Sequence, residues 1–174
     1  MIVNDRITDY INSLESSQGS LLDSIEQEAL RDRVPIIRRE TAALLRTLVA
    51  ALRPSRILEI GTAVGYSSLL MCRVMPEDCR ITTIEKYEKR IPEALEHFEK
   101  AGEEGRITLL AGDADDLLAG LKGQIFDLVF MDAAKGQYLH WLPMILELMP
   151  DGGVLISDTV SYTHLRAHET KANL

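Results

Sequence analysis

The sequence has few cysteines, few aromatic residues and no long apolar run, and each shortage excludes a class of protein. Its 174 residues include only two cysteines, Cys72 and Cys79, without the second pair that a structural zinc site would need. We expect both thiols to be reduced, as is usual in the cytoplasm. No stretch approaches a membrane span, and the first residues lack the basic start and apolar run of a secretory signal. The sequence thus favours a cytoplasmic protein without a membrane segment.

Positive charge is also scarce, with 19 Lys and Arg against 27 Asp and Glu and a net charge of −8. Such a chain is not expected to bind nucleic acid broadly, because that binding needs many phosphate contacts from basic residues. One segment, LRDRVPIIRRE, departs from this balance. It holds four arginines within nine residues: Arg31, Arg33, Arg38 and Arg39. Charge alone favours a solvated helix junction, and a local phosphate-binding edge stays open as the alternative.

The composition, with 46% hydrophobic and 26% charged residues, is typical of one globular domain. From residue 56 onward, short apolar runs alternate with segments of helical period, which predicts an α/β fold with a parallel sheet. The five predicted strands are 56–60, 80–84, 106–110, 126–131 and 153–157. Four crossover helices are predicted within 66–74, 87–101, 114–121 and 138–149, and three helices precede the sheet at 4–17, 20–31 and 39–52. The carboxyl ends of all five strands should therefore meet at one rim, where such sheets bind ligands.

The first strand runs into a glycine-containing turn, ILEIGTAVGYSS, with Gly61 and Gly65 in G-x-x-x-G spacing. A dinucleotide site usually has G-x-G-x-x-G, and its middle glycine is replaced here by Ala63. Glu59 also places a carboxylate near the turn, which suits a cationic amine or sulfonium better than a pyrophosphate. S-adenosylmethionine carries both cations. The alternative is a tight structural turn without a ligand.

Acidic residues also follow the second and third strands. Glu85 ends the second strand, where a carboxylate can accept hydrogen bonds from both ribose hydroxyls. Asp113 and Ala114 follow the third strand and could border an adenine ring. Any one of these acids could instead cap a helix, but acids at three successive strand ends favour a nucleoside pocket.

Asp132 and Asp158 each follow one of the last two apolar strands, which should be neighbours. Two carboxylates on one rim, with no histidine or cysteine nearby in sequence, suit a hard cation such as Mg²⁺. Lys135 could reach the same space as a general base. The alternatives are aspartates that cap adjacent helices and an exposed lysine.

These motifs together resemble the metal-dependent O-methyltransferases, a family that includes the catechol and caffeoyl-coenzyme A methyltransferases. The resemblance covers about residues 1–160, and VPII (34–37), ILEIGTAVGYSS (57–68) and MDAAKGQY (131–138) are most similar to bacterial tRNA 5-hydroxyuridine methyltransferases. It implies a Rossmann-like class I methyltransferase sheet over 56–160 that binds S-adenosylmethionine. It further implies that 1–55 form a helical segment of the same domain on the substrate or dimer side, and that the intact protein is a homodimer.

The resemblance also implies a role for particular residues. The implied cofactor contacts are Ile37, Glu59, Gly61, Gly65 and Ser67 at the methionine end, Glu85 at the ribose, Asp113 and Ala114 at the adenine, and Asp132. The implied metal ligands are Asp132 and Asp158, and the implied catalytic residues are Lys135 as base and Asp132.

The sequence departs from the family pattern after the fifth strand. The family usually has Asn after the second metal aspartate, whereas Thr159 stands here, so we expect a weaker metal site. The family sheet continues through two more strands, but residues 161–174 show no such pattern and resemble translated adapter sequence. We therefore expect this tail to be non-native, and we do not interpret His164 and His168 as a zinc pair.

The leading hypothesis is methyl transfer from S-adenosylmethionine to a hydroxyl oxygen, with a divalent cation such as Mg²⁺. The favoured acceptor is 5-hydroxyuridine at the tRNA wobble position, with the four arginines as a phosphate-binding edge, and a catechol-like or phenolic acyl-coenzyme A substrate is the alternative. From other classes, the chain could be a nicotinamide-dependent oxidoreductase or a defective fragment that binds S-adenosylmethionine without turnover. Ala63 and Glu59 argue against the oxidoreductase.

Overall fold

The computed structural model describes residues 17–158 and, before them, positions 6, 7, 10 and 13. Its strands are β1 (Arg56–Ile60), β2 (Arg80–Glu85), β3 (Ile107–Ala111), β4 (Leu128–Met131) and β5 (Val154–Ser157). Its helices are α1 (Ser20–Arg31), α2 (Arg39–Leu52), α3 (Tyr66–Cys72), α4 (Ile91–Ala101), α5 (Ala114–Gly120) and α6 (Tyr138–Glu147). A short 3₁₀ helix at Lys135–Gln137 precedes α6.

The five strands form one parallel sheet in the order β3-β2-β1-β4-β5. This confirms the predicted α/β fold and the predicted pairing of the fourth and fifth strands. β1 lies in the middle of the sheet, where Ile57 and Leu58 are completely buried. Because every strand is parallel, the carboxyl ends of all five lie along one rim, and strand order changes direction at β1.

Two apolar layers enclose the sheet, since side chains alternate between its faces. On one face, Ile57 and Phe130 pack with apolar residues of α1, α2, α3 and α4. On the other, Leu58 and Val129 pack with apolar residues of α5 and α6. Helices α1 and α2 contact α3, so the N-terminal helices and the sheet share one core.

Some element boundaries differ from the sequence prediction. The fourth strand begins at Leu128 rather than 126, and the backbone N–H of Phe126 donates to the carbonyl of Leu148, outside the sheet. The carboxylate of Asp127 accepts hydrogen bonds from the backbone N–H groups of Ser55 and Arg56 at the amino-terminal end of β1. The second crossover helix begins at Ile91 rather than 87, because Pro92 lies in its first turn and a backbone turn precedes it.

None of the helices in the described part of the chain is long and apolar enough to cross a bilayer. The predicted helix over 4–17 lies outside the described residues except at positions 6, 7, 10, 13 and 17, of which 17 is not helical. Thr159 and the predicted non-native tail over 161–174 also lie outside them. The predicted division into 1–55, 56–160 and 161–174 stays a prediction.

Candidate functional site

A cavity of about 480 Å³ opens at the carboxyl ends of β1, β2, β3 and β4. Seven of the residues predicted for the cofactor line it: Ile37, Gly61, Ser67, Glu85, Asp113, Ala114 and Asp132. They come from separate parts of the sequence, and the parallel sheet brings them to one rim. Glu59 and Gly65 do not line the cavity.

The turn between β1 and α3 forms one wall of the cavity and requires unusual backbone angles. Gly61 has a φ of 107°, and a Cβ atom there would lie 2.1 Å from the carbonyl oxygen of Asp132. Gly65 has a φ of 82°, and a Cβ atom there would lie 2.5 Å from the ring of Phe98. Both positions therefore need glycine. Gly65 does not line the cavity itself, but its missing side chain lets α3 pack closely against α4.

Glu85 holds the turn from the neighbouring strand. Its Oε2 accepts the backbone N–H of Ala63 at 2.7 Å, and its Oε1 accepts the backbone N–H of Tyr87 at 2.8 Å. Ala63 has a φ of 47°, an uncommon angle for a residue other than glycine, and the bond to Glu85 stabilises it. Each carboxylate oxygen has a further lone pair, so a bound diol could still donate to Glu85.

Asp113 both caps α5 and lines the cavity. The two interpretations of this acid, as a helix cap and as part of a nucleoside pocket, are therefore compatible. Its Oδ1 accepts the backbone N–H of Asp115 at 3.1 Å, and its Oδ2 lies 3.1 Å from Nζ of Lys86. The hydrogen bond from Asp115 and, to a smaller extent, the contact with Lys86 lower the pKa of Asp113 below its ordinary value. Asp113 is therefore ionised at neutral pH beside the mouth of the cavity.

Sequence reasoning missed the far end of the cavity, which Asp115 and Trp141 line. The indole N–H of Trp141 donates to Oδ1 of Asp115 at 2.6 Å, and Nε2 of His140 lies 3.1 Å from the same oxygen. Trp141 is buried and offers a flat apolar surface to a ligand. In sequence it belongs to the apolar stripe of α6, which predicts only core packing, so no local signal distinguishes it.

Glu59 lies one layer behind the cavity wall and is completely buried. Its Oε1 accepts the hydroxyl of Ser67 at 2.5 Å, and its Oε2 accepts the hydroxyl of Thr83 at 2.5 Å and that of Ser68. Burial raises the pKa of the Glu59 carboxyl to about 7, although the three hydroxyls oppose this change. Of these four residues only Ser67 lines the cavity, so Ser67 is the shortest hydrogen-bonded link between Glu59 and a ligand. A longer link runs through Thr83 to Thr62, which also lines the cavity.

The raised pKa of Glu59 predicts a pH dependence of stability. The folded protein holds this proton up to about pH 7, whereas the unfolded chain releases it near 4.5, so the contribution of Glu59 to stability falls as pH rises between these values. Relative to Glu59→Gln, the wild type should lose on the order of 2 to 3 kcal/mol of unfolding free energy across that window. Urea unfolding at several pH values measures the difference, and Glu88→Gln, at an exposed site, is the control. A pH-independent difference for Glu59→Gln would contradict the raised pKa.

Asp132 and Asp158 follow adjacent strands at matching positions, because Met131 pairs with Ser157 in the register of β4 and β5. Both carboxylates act on the same buried phenol, Tyr138. Burial is the main cause that raises the pKa of Tyr138 to about 12, and the charges of Asp132 and Asp158 add to it. The Tyr138 hydroxyl also donates to the carbonyl of Met131 at 3.1 Å, which ties α6 to this rim.

The donor set at this rim fits a hard divalent cation, because two carboxylates on neighbouring strand ends are a common arrangement for Mg²⁺ with water completing its shell. Within residues 17–158, no third Asp, Glu, His or Cys joins them to form a metal cluster. The other candidate ligand, Thr159, lies outside the described residues. Lys135 begins the 3₁₀ helix after β4, and its side chain is not described, so its role as a base stays a prediction.

The four arginines divide into two groups. Arg39 makes two hydrogen bonds of 2.7 Å to the buried carboxylate of Glu26, and Arg31 pairs with Asp32 at the surface. Arg33 and Arg38 are exposed and flank 35–37, which lines the cavity. Arg39 therefore has a structural role between α1 and α2, while Arg33 and Arg38 lie beside the cavity mouth.

Together, the strand order, the glycine turn after β1, and the acid after β2 beside a rim cavity define a Rossmann-like methyltransferase fold. The sequence profile of the O-methyltransferase family matches residues 13–171, and the chain belongs to this family. The matched range extends into the predicted non-native tail, whose nature stays a prediction.

Two similar proteins illustrate the family. Over 129 residues the chain is 32% identical to the caffeoyl-CoA O-methyltransferase of Populus kitakamiensis, a match covering 72% of this chain and 55% of the relative. Over 113 residues it is 34% identical to the catechol O-methyltransferase of Mycobacterium tuberculosis, covering 65% of this chain and 51% of the relative. The chain thus spans about half the length of these relatives.

Solved structures agree with this assignment. The O-methyltransferase from Bacillus cereus in complex with SAH superposes with a TM-score of 0.80 at 27% identity, over 87% of this chain and 71% of that one. TomG from Streptomyces achromogenes, an O-methyltransferase of tomaymycin synthesis in complex with SAM, superposes with a TM-score of 0.82 at 27% identity, over 100% of this chain and 88% of that one.

Proposed function

We propose that this chain binds S-adenosylmethionine in the rim cavity and transfers its methyl group to a hydroxyl oxygen. The observation that carries the proposal is that one cavity collects Ser67 from the start of α3, Glu85 from the end of β2 and Asp113 from just after β3. Those groups match a cationic amino acid end, a ribose diol and an adenine in that order along the rim. The family membership and the two neighbours in complex with SAH and SAM support it.

The cofactor would lie across the carboxyl ends of the strands. The carboxylate of Glu85 would accept the ribose hydroxyls, and Asp113, Ala114 and Trp141 would surround the adenine. Ser67 and the backbone near Ile37 would hold the methionine end, which directs the sulfonium methyl toward Asp132. Fixing the methyl and the acceptor oxygen in line accounts for much of the rate enhancement of such a transfer.

We further propose that Asp132 and Asp158 hold a divalent cation, Mg²⁺ being the natural candidate. Such a cation, when bound, favours the anionic form of an acceptor hydroxyl. Lys135 would take up the proton that the acceptor hydroxyl loses, since it follows Asp132 by only three residues. The acceptor oxygen would then take the methyl group, the carbon–oxygen bond forming as the carbon–sulfur bond breaks, and no covalent enzyme intermediate is required.

For the acceptor we favour 5-hydroxyuridine at the wobble position of tRNA. Arg33 and Arg38 support it, because two exposed cations beside the cavity mouth could hold the phosphates next to a wobble base. A small phenolic acceptor is the second candidate, and the names of the relatives favour it, since one acts on caffeoyl-CoA and another on catechol. Incubation with labelled S-adenosylmethionine and either hypomodified tRNA or catechol separates the two.

The double variant Arg33→Glu/Arg38→Glu should discriminate between these acceptors. If both arginines contact phosphates, tRNA methylation should fall about tenfold or more and the log–log salt slope of tRNA binding should decrease by about two. Methylation of catechol, if any, should stay unchanged. Arg53→Glu/Arg80→Glu is the matched control, because these exposed arginines lie at the amino-terminal ends of β1 and β2, opposite the rim that holds the cavity. Equal tRNA methylation in both double variants would exclude the arginines as a phosphate-binding edge.

A further inference from the structure

The buried Glu59 has an arrangement of partners that fixes the direction of each hydrogen bond. An ionised carboxylate only accepts, so the hydroxyls of Ser67, Ser68 and Thr83 must all donate to it. The hydroxyl of Thr62 lies 2.6 Å from that of Thr83 and completes a closed polar network below the turn. Of the three hydroxyls that donate to the Glu59 carboxylate, only that of Ser67 belongs to a residue that lines the cavity. Thr62 also lines the cavity, but it reaches Glu59 only through the intervening hydroxyl of Thr83.

Among the hydroxyl groups that donate to Glu59, that of Ser67 is the one that could contact a ligand. Its single proton is committed to Oε1 of Glu59 at 2.5 Å, and the side chain lines the cavity. The hydroxyl oxygen therefore offers only lone pairs to the cavity. A lone pair in this position attracts a donor, above all a cationic one, because charge-assisted hydrogen bonds are about twice as strong as neutral ones.

We propose that Glu59 is a positioning residue that makes Ser67 an obligate hydrogen-bond acceptor and so selects ligands with a protonated amine at this end of the cavity. This inference rests on the proposed function, in which that amine belongs to the methionine end of the cofactor. Glu59 then touches no ligand atom. Its buried side chain confers selectivity through the orientation of one hydroxyl proton.

The test compares two ligands on the same variant: S-adenosylhomocysteine and its analogue without the α-amino group. At about pH 8, where the Glu59 carboxyl is ionised, calorimetry should show the wild type preferring the amine-bearing ligand. In Glu59→Gln, whose neutral carboxamide can also donate to Ser67, this preference should fall about tenfold. The ratio of the two affinities does not depend on the folded fraction, so partial unfolding cannot imitate the result.

Three further variants separate positioning from structure. Ser67→Ala should remove the same preference, and adding Glu59→Gln to it should change nothing more, because Glu59 acts through Ser67. Ser68→Ala removes another donor to Glu59 at a residue that does not line the cavity. The preference of this variant for the amine-bearing ligand should therefore match that of the wild type. This variant controls for damage to the network.

Several outcomes would overturn the inference. Equal weakening of both ligands in Glu59→Gln or in Ser67→Ala would show a structural role only. A further loss of preference when Glu59→Gln is added to Ser67→Ala would show that Glu59 acts by a route other than Ser67. If the wild type binds neither ligand, the proposed function itself fails, whereas binding of both without a preference contradicts this inference alone.

Discussion

Replacing Glu85 by Gln should weaken the binding of S-adenosylhomocysteine about 100-fold, because the carboxamide has one accepting oxygen where the carboxylate has two. In the folded protein those oxygens already accept the backbone N–H groups of Ala63 and Tyr87. The variant must leave one of these groups without its acceptor and also loses a charged acceptor for a ribose hydroxyl. Hydrogen bonds to charged groups contribute about 1.5 to 3 kcal/mol each, so two weakened contacts account for the expected loss.

Calorimetric titration measures this effect, and Glu88→Gln provides the matched control, since Glu88 is exposed and does not line the cavity. Glu85→Gln should also lower the melting temperature modestly, because the turn at Ala63 loses part of its support. An affinity for S-adenosylhomocysteine equal to that of the control variant would show that Glu85 does not hold the ribose.

The second large effect is expected at Asp158. If Asp158 is a metal ligand as proposed, Asp158→Asn should reduce methyl transfer about 100-fold or more, because the variant loses several kcal/mol of transition-state stabilisation. Its affinity for S-adenosylhomocysteine should stay within about twofold of the wild type. Asp158 suits this test better than Asp132, since Asp132 lines the cofactor cavity and Asp158 does not. Titration with Mn²⁺ should show weaker metal binding in the variant than in the wild type.

Asp151→Asn is the control for that experiment, because Asp151 is an exposed acid shortly before β5. Chelation with EDTA should reproduce the Asp158→Asn result on the wild type, with restoration by added Mg²⁺. Full turnover in EDTA, or equal Mn²⁺ affinity in Asp158→Asn and Asp151→Asn, would exclude the metal role of this rim.

Much of the fold was predictable because buried parallel strands are short apolar runs and polar residues follow them directly. The run at 56–60 coincides with β1, and the adjacency of the last two strands follows from the usual strand order. Acids after successive strands meet at one rim for the same reason, which predicts that Glu85 and Asp113 border one pocket, and both line the cavity. Asp132 lines it too, as the family resemblance implied.

The features that could not be predicted depend on tertiary packing, which no local sequence pattern indicates. Trp141 reaches Asp115 only because α6 packs beside α5, and both residues belong to segments that indicate nothing beyond helices. Glu59 precedes the glycine turn by two residues, which suggests a ligand contact. The side-chain alternation of β1 instead turns it toward α3, where hydroxyls of Ser67 and Ser68 reach it first.

A calorimetric comparison of S-adenosylhomocysteine and NAD as ligands of this chain tests the function of the cavity most directly. The cavity has Glu85 for a ribose and an alanine, Ala63, where a dinucleotide turn has its middle glycine. We therefore expect saturable binding of one S-adenosylhomocysteine per chain and no measurable binding of NAD. Saturable binding of NAD, or failure of the folded protein to bind S-adenosylhomocysteine, would contradict the assignment of this cavity.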